Sequence, residues 1–210
     1  MDGTLVDTEP MWLASENELM SRYGYLWTKE DQAHCLGGPL DRVGQYMFDL
    51  AGGAETPEFF TKTLIALTES HLRDGARLME GAQELMTLCE GLSLPMALVS
   101  ASPRVLVDAV LDNLKSHSFA ISISSDDVTN VKPDPEGYLA AAKFLDVPIQ
   151  DCLILEDSAT GVAAASASGG VVVAIPHLVP IENADRVRVI SSVKELSLGR
   201  LQELYAEFNS

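Results

Sequence analysis

From Met96 onward the chain alternates short apolar runs with helix-periodic segments, and this alternation constrains the fold more than any other feature. Met96–Ser100 is an apolar run ending in a small polar residue, and Pro103–Leu114 follows with Val105, Leu106, Ala109, Val110 and Leu114 on one broad helical face. Phe119–Ser122 reads as a strand, Pro135–Phe144 as a helix opened by proline, Cys152–Leu155 as a strand and Ser158–Ser168 as an Ala-rich helix. Val171–Ile175 is apolar and largely β-branched, as suits a strand covered on both faces. Val187–Ile190 predicts one more short strand, and Val193–Phe208 a closing amphipathic helix. Strand–helix alternation of this kind specifies a parallel sheet with right-handed crossovers, an α/β architecture.

The segment from about Pro10 to Arg77 has a different pattern. Trp12–Tyr23 and Pro57–Arg73 are strongly helix-like, Asp41–Leu50 more weakly so, and no convincing strand separates them. Gly37-Gly38-Pro39 and Gly52-Gly53 punctuate the stretch. It reads as a helical insertion between a first strand–loop and the rest of the sheet.

Charge narrows the function classes. The 210 residues carry 31 acidic against 14 basic side chains, a formal net charge of −17. Such a field repels nucleic acid and anionic membrane, and it repels anionic metabolites too. A phosphate site in this chain therefore needs a local cation, a metal or a well-placed Lys. Cys35, Cys89 and Cys152 are widely spaced, and neither they nor His34, His71, His117 and His177 show metal-ligand spacing. No apolar run is long enough to span a bilayer and no signal peptide is visible, so a cytoplasmic protein is expected.

Ligands of open parallel sheets bind beyond the carboxyl ends of the strands, so polar residues directly after apolar runs carry the chemistry. Asp2-Gly3-Thr4 suits a tight loop whose amides approach a phosphate, or a plain turn. Ser100-Ala101-Ser102 offers a hydroxyl and amides at a helix start, or Ser102 caps that helix. Lys132, in Lys132-Pro133-Asp134-Pro135, is either an ammonium aimed by a stiff loop or a surface lysine. Glu156-Asp157-Ser158, with Gly161 after it, places two carboxylates together, which is costly unless a cation is near; Asp157 as a helix cap is the alternative. Each signal alone is ambiguous. In this order, each at a strand end, they read as a phosphoryl-transfer site.

With these four motifs the sequence resembles the haloacid dehalogenase superfamily, in its subgroup with a helical cap inserted after the first motif. The family's D-x-D-G-T matches Met1-Asp2-Gly3-Thr4, its second-motif hydroxyl Ser100, its lysine Lys132, and its E-D-S-x-x-G Glu156-Asp157-Ser158 with Gly161. Asp7-Thr8-Glu9-Pro10-Met11-Trp12 is similar to the cap entry of bacterial sugar-phosphate phosphatases of the 2-deoxyglucose-6-phosphate phosphatase type. The resemblance implies a Rossmann-like core over residues 1–9 and 78–210 and a cap over 10–77. It also implies a monomeric, Mg²⁺-dependent phosphatase of a small phosphorylated metabolite, working through an aspartyl phosphate. Asp2 would be the acid–base, Ser100, Ala101 and Lys132 would hold the phosphoryl group, and the metal would lie on Asp2 (through its carbonyl), Glu156 and Asp157. A phosphosugar mutase similar to β-phosphoglucomutase is the alternative, disfavoured because family mutases place a His where this chain has Trp12. Trp12, Leu13, Glu16 and the loop from Gly37 to Arg42 are the expected specificity residues of the cap.

One departure is severe. The family's nucleophile lies two positions before Asp2, and the sequence opens one position before it, without the family's central first strand. As written, the chain is expected not to form the aspartyl phosphate. Met1 reads as an internal residue of a longer chain, since family members frequently carry Met there; a shortened, non-catalytic binding protein is the other reading.

Overall fold

The computed structural model describes residues 1–114, 117–176 and 180–209; His177 lies outside them. Its elements in chain order are β1 (Val6–Asp7), α1 (Glu9–Ser21), α2 (Lys29–Cys35), α3 (Leu40–Leu50), α4 (Pro57–Arg73), β2 (Arg77–Leu78), α5 (Ala82–Gly91), β3 (Met96–Val99), α6 (Arg104–Asn113), β4 (Phe119–Ile123), α7 (Glu136–Leu145), β5 (Leu153–Glu156), α8 (Ala159–Ser168), β6 (Val171–Ala174), β7 (Val187–Val189) and α9 (Leu198–Asn209). The chain divides into two compact units, Met1–Asp7 with Arg77–Ser210, and Thr8–Ala76.

The first unit is α/β. β3 pairs in parallel with β4, and β5, β6 and β7 form a second parallel sheet in that order. Among the described residues no strand joins β3 to β5. All four residues of β6 are buried, as its β-branched composition requires between two strands and two covered faces. The helix α8 is built from small residues, so Ala164 and Ala165 pack with no exposed surface against Ile154 and Val172. The segments leading into and out of the insertion pair antiparallel, Val6 opposite Leu78 and Asp7 opposite Arg77.

The second unit is helical. Leu19, Met20, Trp27, Cys35, Val43, Met47, Phe60 and Leu64 form its core. The sequence pattern missed α2. This helix is short and polar, so it has no apolar stripe to read, and it is specified by a capping box instead: Thr28 accepts from Asp31 N, and Asp31 accepts from Thr28 N. The closing amphipathic segment is also shorter than its periodicity suggests. Residues Val193–Glu195 form a 3-10 turn capped by Ser192, and the α-helix begins only at Leu198.

Candidate active site

At the N-terminus, Asp2-Gly3-Thr4 makes a tight loop in which the Met1 carbonyl accepts from the amides of Thr4, Leu5 and Val6. Gly3 has a φ of +66°, and a Cβ there would lie 2.2 Å from Asp157 Oδ2, so position 3 admits only glycine on both counts. Thr4 Oγ1 donates to Asp157 Oδ1 at 2.9 Å, tying the first motif to the last.

The end of β3 supplies the hydroxyls. Ser100 is buried, and its Oγ donates to Asp2 Oδ2 at 3.4 Å. Ser102 Oγ makes the shorter bond to the same oxygen, 2.8 Å. Ser102 is therefore not the cap of α6: the N-cap is Pro103, whose side chain has no hydrogen-bonding atom, and the Ser102 hydroxyl is engaged by Asp2. Ala101 is exposed beside them.

Lys132 reaches across from the loop before α7. Its Nζ donates to the Val99 carbonyl at 3.1 Å and to Glu156 Oε1 at 2.6 Å, linking the carboxyl ends of β3 and β5. The Tyr138 hydroxyl donates to that same Oε1, and the ammonium lies 4.8 Å from the centre of the Tyr138 ring. Burial and the adjacent Glu156 charge hold the Tyr138 hydroxyl far above its ordinary pKa, so it stays a donor.

The two acids behave oppositely. Burial pushes Glu156 up, but the Lys132 charge and the hydrogen bonds from Lys132 and Tyr138 oppose it, leaving the carboxyl below its usual range. Burial also pushes Asp157 up, and there the hydrogen bond from Thr4 does not offset burial and the neighbouring Glu156 charge, so Asp157 stays above its usual range. Asp157 does not cap α8; the Ser158 hydroxyl does, accepting from Gly161 N at 3.1 Å. Gly161 is the close-approach residue of the motif, since a Cβ would lie 1.9 Å from Glu156 Oε2.

The structure thus brings Asp2, Ser100, Lys132, Glu156 and Asp157 to one end of the strands. Thr4 and Ser102, which the motifs contain without a role of their own, belong to the same cluster, as does Tyr138, which the motif reading missed. Ser102 sits two residues after Ser100, close enough in sequence to have been weighed as a second hydroxyl. Tyr138 is six residues beyond Lys132 in an apolar helix, where nothing local separates it from a core aromatic. Matched against protein-family models, residues 1–175 fit that of the haloacid dehalogenase-like hydrolases.

The chain belongs to the haloacid dehalogenase-like hydrolase family.

Hexitol phosphatase B of Escherichia coli K12 is 30% identical over 205 residues, covering 96% of this chain and 91% of that protein. The bifunctional riboflavin kinase/FMN phosphatase of Arabidopsis thaliana is 28% identical over 181 residues, 85% of this chain, which spans only 47% of that protein's length. The fold matches a family IA, variant 3 HAD hydrolase from Entamoeba histolytica with a TM-score of 0.84 at 20% identity, over 98% of this chain and 96% of that one.

The family implies Mg²⁺, and the donor chemistry at the end of β5 fits it. Glu156 is a buried and Asp157 a half-buried carboxylate, both hard oxygen donors, and the charge at Asp157 is incompletely compensated within the fold. No group of three or more His, Cys, Asp or Glu is gathered for a metal among the described residues.

In the helical unit, Glu16 is only 6% exposed, and neither its Oε2 nor the Trp27 Nε1 has a hydrogen-bond partner among the described residues. Burial, opposed by the nearby Trp27 indole and reinforced by the charges of Glu9 and Asp31, raises its pKa to about 7. Arg42 folds back on its own loop, donating to the His34 carbonyl at 3.0 Å and lying over Gly38. Trp12 and Leu13 pack partly buried against the helical core.

Proposed function

We propose that the protein is a Mg²⁺-dependent phosphatase of a small phosphorylated metabolite, a sugar phosphate by preference, acting as a cytoplasmic monomer. The observation that carries this reading is the Lys132 ammonium joining the ends of β3 and β5, beside the Ser100 hydroxyl and the Asp2 carboxyl it bonds. In a chain of net charge −17 this is the local cation a phosphate needs.

Ser100 and Lys132 would bind the phosphoryl oxygens, with the Ala101 amide as a further donor. Asp2 would donate its proton to the departing alcohol oxygen and then take one from the attacking water, its Oδ2 held by Ser102 and Ser100. The acceptor of the phosphoryl group would be a carboxylate two positions before Asp2, which precedes Met1. Mg²⁺ on Asp157 and the Asp2 carbonyl, with Glu156 supporting its waters, would neutralise charge on the phosphoryl group. The helical unit would select the substrate, and the relatives' names favour phosphorylated sugars and sugar alcohols.

The test is Mg²⁺-dependent phosphate release from a panel of sugar phosphates, by this chain and by one lengthened with an apolar strand ending in Asp. Release by the lengthened chain, abolished by Asp2→Asn, supports the reading. No release by a folded lengthened chain that still binds phosphate would instead favour a non-catalytic phosphate-binding protein.

A further inference from the structure

The Lys132–Glu156 pair has a third member. An ammonium has three donors, and two of those on Lys132 are occupied within the fold, by the Val99 carbonyl and by Glu156 Oε1. One remains to meet a ligand. Its direction depends on how firmly the other two are held. Tyr138 bears on both sides of that question. Its hydroxyl donates to the same Oε1 that accepts from Lys132, and its ring lies under the ammonium, 4.8 Å from centroid to Nζ.

Tyr138 is itself closely packed. It lies in the first turn of α7, is 7% exposed, and packs with Ile154, Ala164 and Val172 in the core between sheet and helices. The lysine side chain is 11% exposed, so its contacts are made largely out of water, where charge–ring and charge-assisted bonds are strongest.

We propose that Tyr138 is a positioning residue of the phosphate site: its ring and hydroxyl together fix Lys132 and Glu156 so that the remaining ammonium donor points at a bound phosphoryl oxygen. Oε1 shares its charge between two donors, so Glu156 orients the ammonium without fully neutralising it. Take away the hydroxyl, and Oε1 turns wholly to Lys132 while losing its own anchor. Take away the ring as well, and the ammonium loses the surface that keeps it from swinging. The inference rests on Lys132 being a phosphate ligand, as proposed above.

The experiment uses the 210-residue chain with inorganic phosphate as probe and two readouts, the phosphate dissociation constant and the ¹H–¹⁵N signal of the Lys132 ammonium. That signal is identified by its loss in Lys132→Met, and it is visible only while the ammonium is held. Tyr138→Phe is expected to weaken phosphate binding about threefold to tenfold, the effect of one weakened hydrogen bond to a charged group, and to broaden the ammonium signal. Tyr138→Leu is expected to weaken binding further and to abolish the signal, with the backbone amide spectrum outside the site preserved in both. A purely structural role would lower the melting temperature and leave the signal and the phosphate affinity of the folded protein unchanged, which would overturn the proposal. If Lys132→Met binds phosphate as tightly as the parent chain, the phosphate-site reading itself fails, and the role of Tyr138 fails with it. If Lys132→Met loses binding while Tyr138→Phe and Tyr138→Leu keep it, only the role of Tyr138 is lost.

Discussion

Gly161 shows how narrowly the last motif is built. The residue is buried on α8, and an added Cβ would lie 1.9 Å from a Glu156 carboxylate oxygen that Lys132 and Tyr138 hold in place. Alanine is worth about 1 kcal/mol more than glycine in a helix, but pushing a buried, paired carboxylate aside costs about 1–3 kcal/mol. The clash is expected to win, so Gly161→Ala should lower the midpoint of urea unfolding and weaken phosphate binding. A more stable variant with unchanged affinity would mean the carboxylate is not fixed as described. Glu16 gives the pH prediction. It binds its proton more tightly in the folded chain, near pH 7, than at the ordinary 4.5, so ionisation opposes folding. Its favourable contribution is complete below about pH 4.5 and is lost as pH rises through 7. Glu16→Gln should therefore match the parent at pH 4 and exceed it at pH 8 by up to ~3 kcal/mol, read from unfolding curves at the two pH values. Equal stability of the two proteins at pH 8 would show that Glu16 is solvated.

Among the elements, α2 has the least intrinsic reason to exist and the most elaborate support. Asp31 is buried and accepts from Thr28 N, Thr28 Oγ1, Tyr25 Oη and Tyr46 Oη, at distances of 2.6–3.2 Å. Burial pushes its carboxyl up, but these bonds outweigh it and leave it below the usual range. Removing the acceptor strands several donors, whereas removing the cap hydroxyl strands one amide. Asp31→Ala is expected to cost about 2–3 kcal/mol and Thr28→Ala about 1 kcal/mol, in that order, by urea unfolding. The reverse order would place the weight on the cap rather than on the tyrosine network.

Over the whole molecule, the net charge of −17 opposes every anion that approaches, while the attraction of Lys132 is local and shielded from solvent. Salt screens the long-range repulsion more than the short-range attraction. Phosphate affinity should accordingly rise as sodium chloride is increased from 10 to about 150 mM, by calorimetric titration, the opposite of what a basic anion-binding surface would show. A fall over that range would place the bound phosphate on exposed cations instead. No helix among the described residues is long and apolar enough to cross a membrane.

What the sequence by itself determined is the parallel α/β core and which polar residues stand at the ends of its strands. β-branched runs such as Val171–Ala174 suit buried parallel strands, and Ser100 and the Glu156-Asp157 pair stand at the ends of β3 and β5, whereas Lys132 lies in the loop before α7. Local pattern sufficed for the strand-end residues because each sits at a fixed offset from its own strand. What only the tertiary structure decided is which groups share a partner. Ser102 turned from a helix cap into a ligand of Asp2, a hundred positions away, and Tyr138 from a core aromatic into a neighbour of Lys132 and Glu156. Thr4 meets Asp157 across 153 positions. Contacts between strand ends depend on the order of strands in the sheet, and no short window of sequence contains that order.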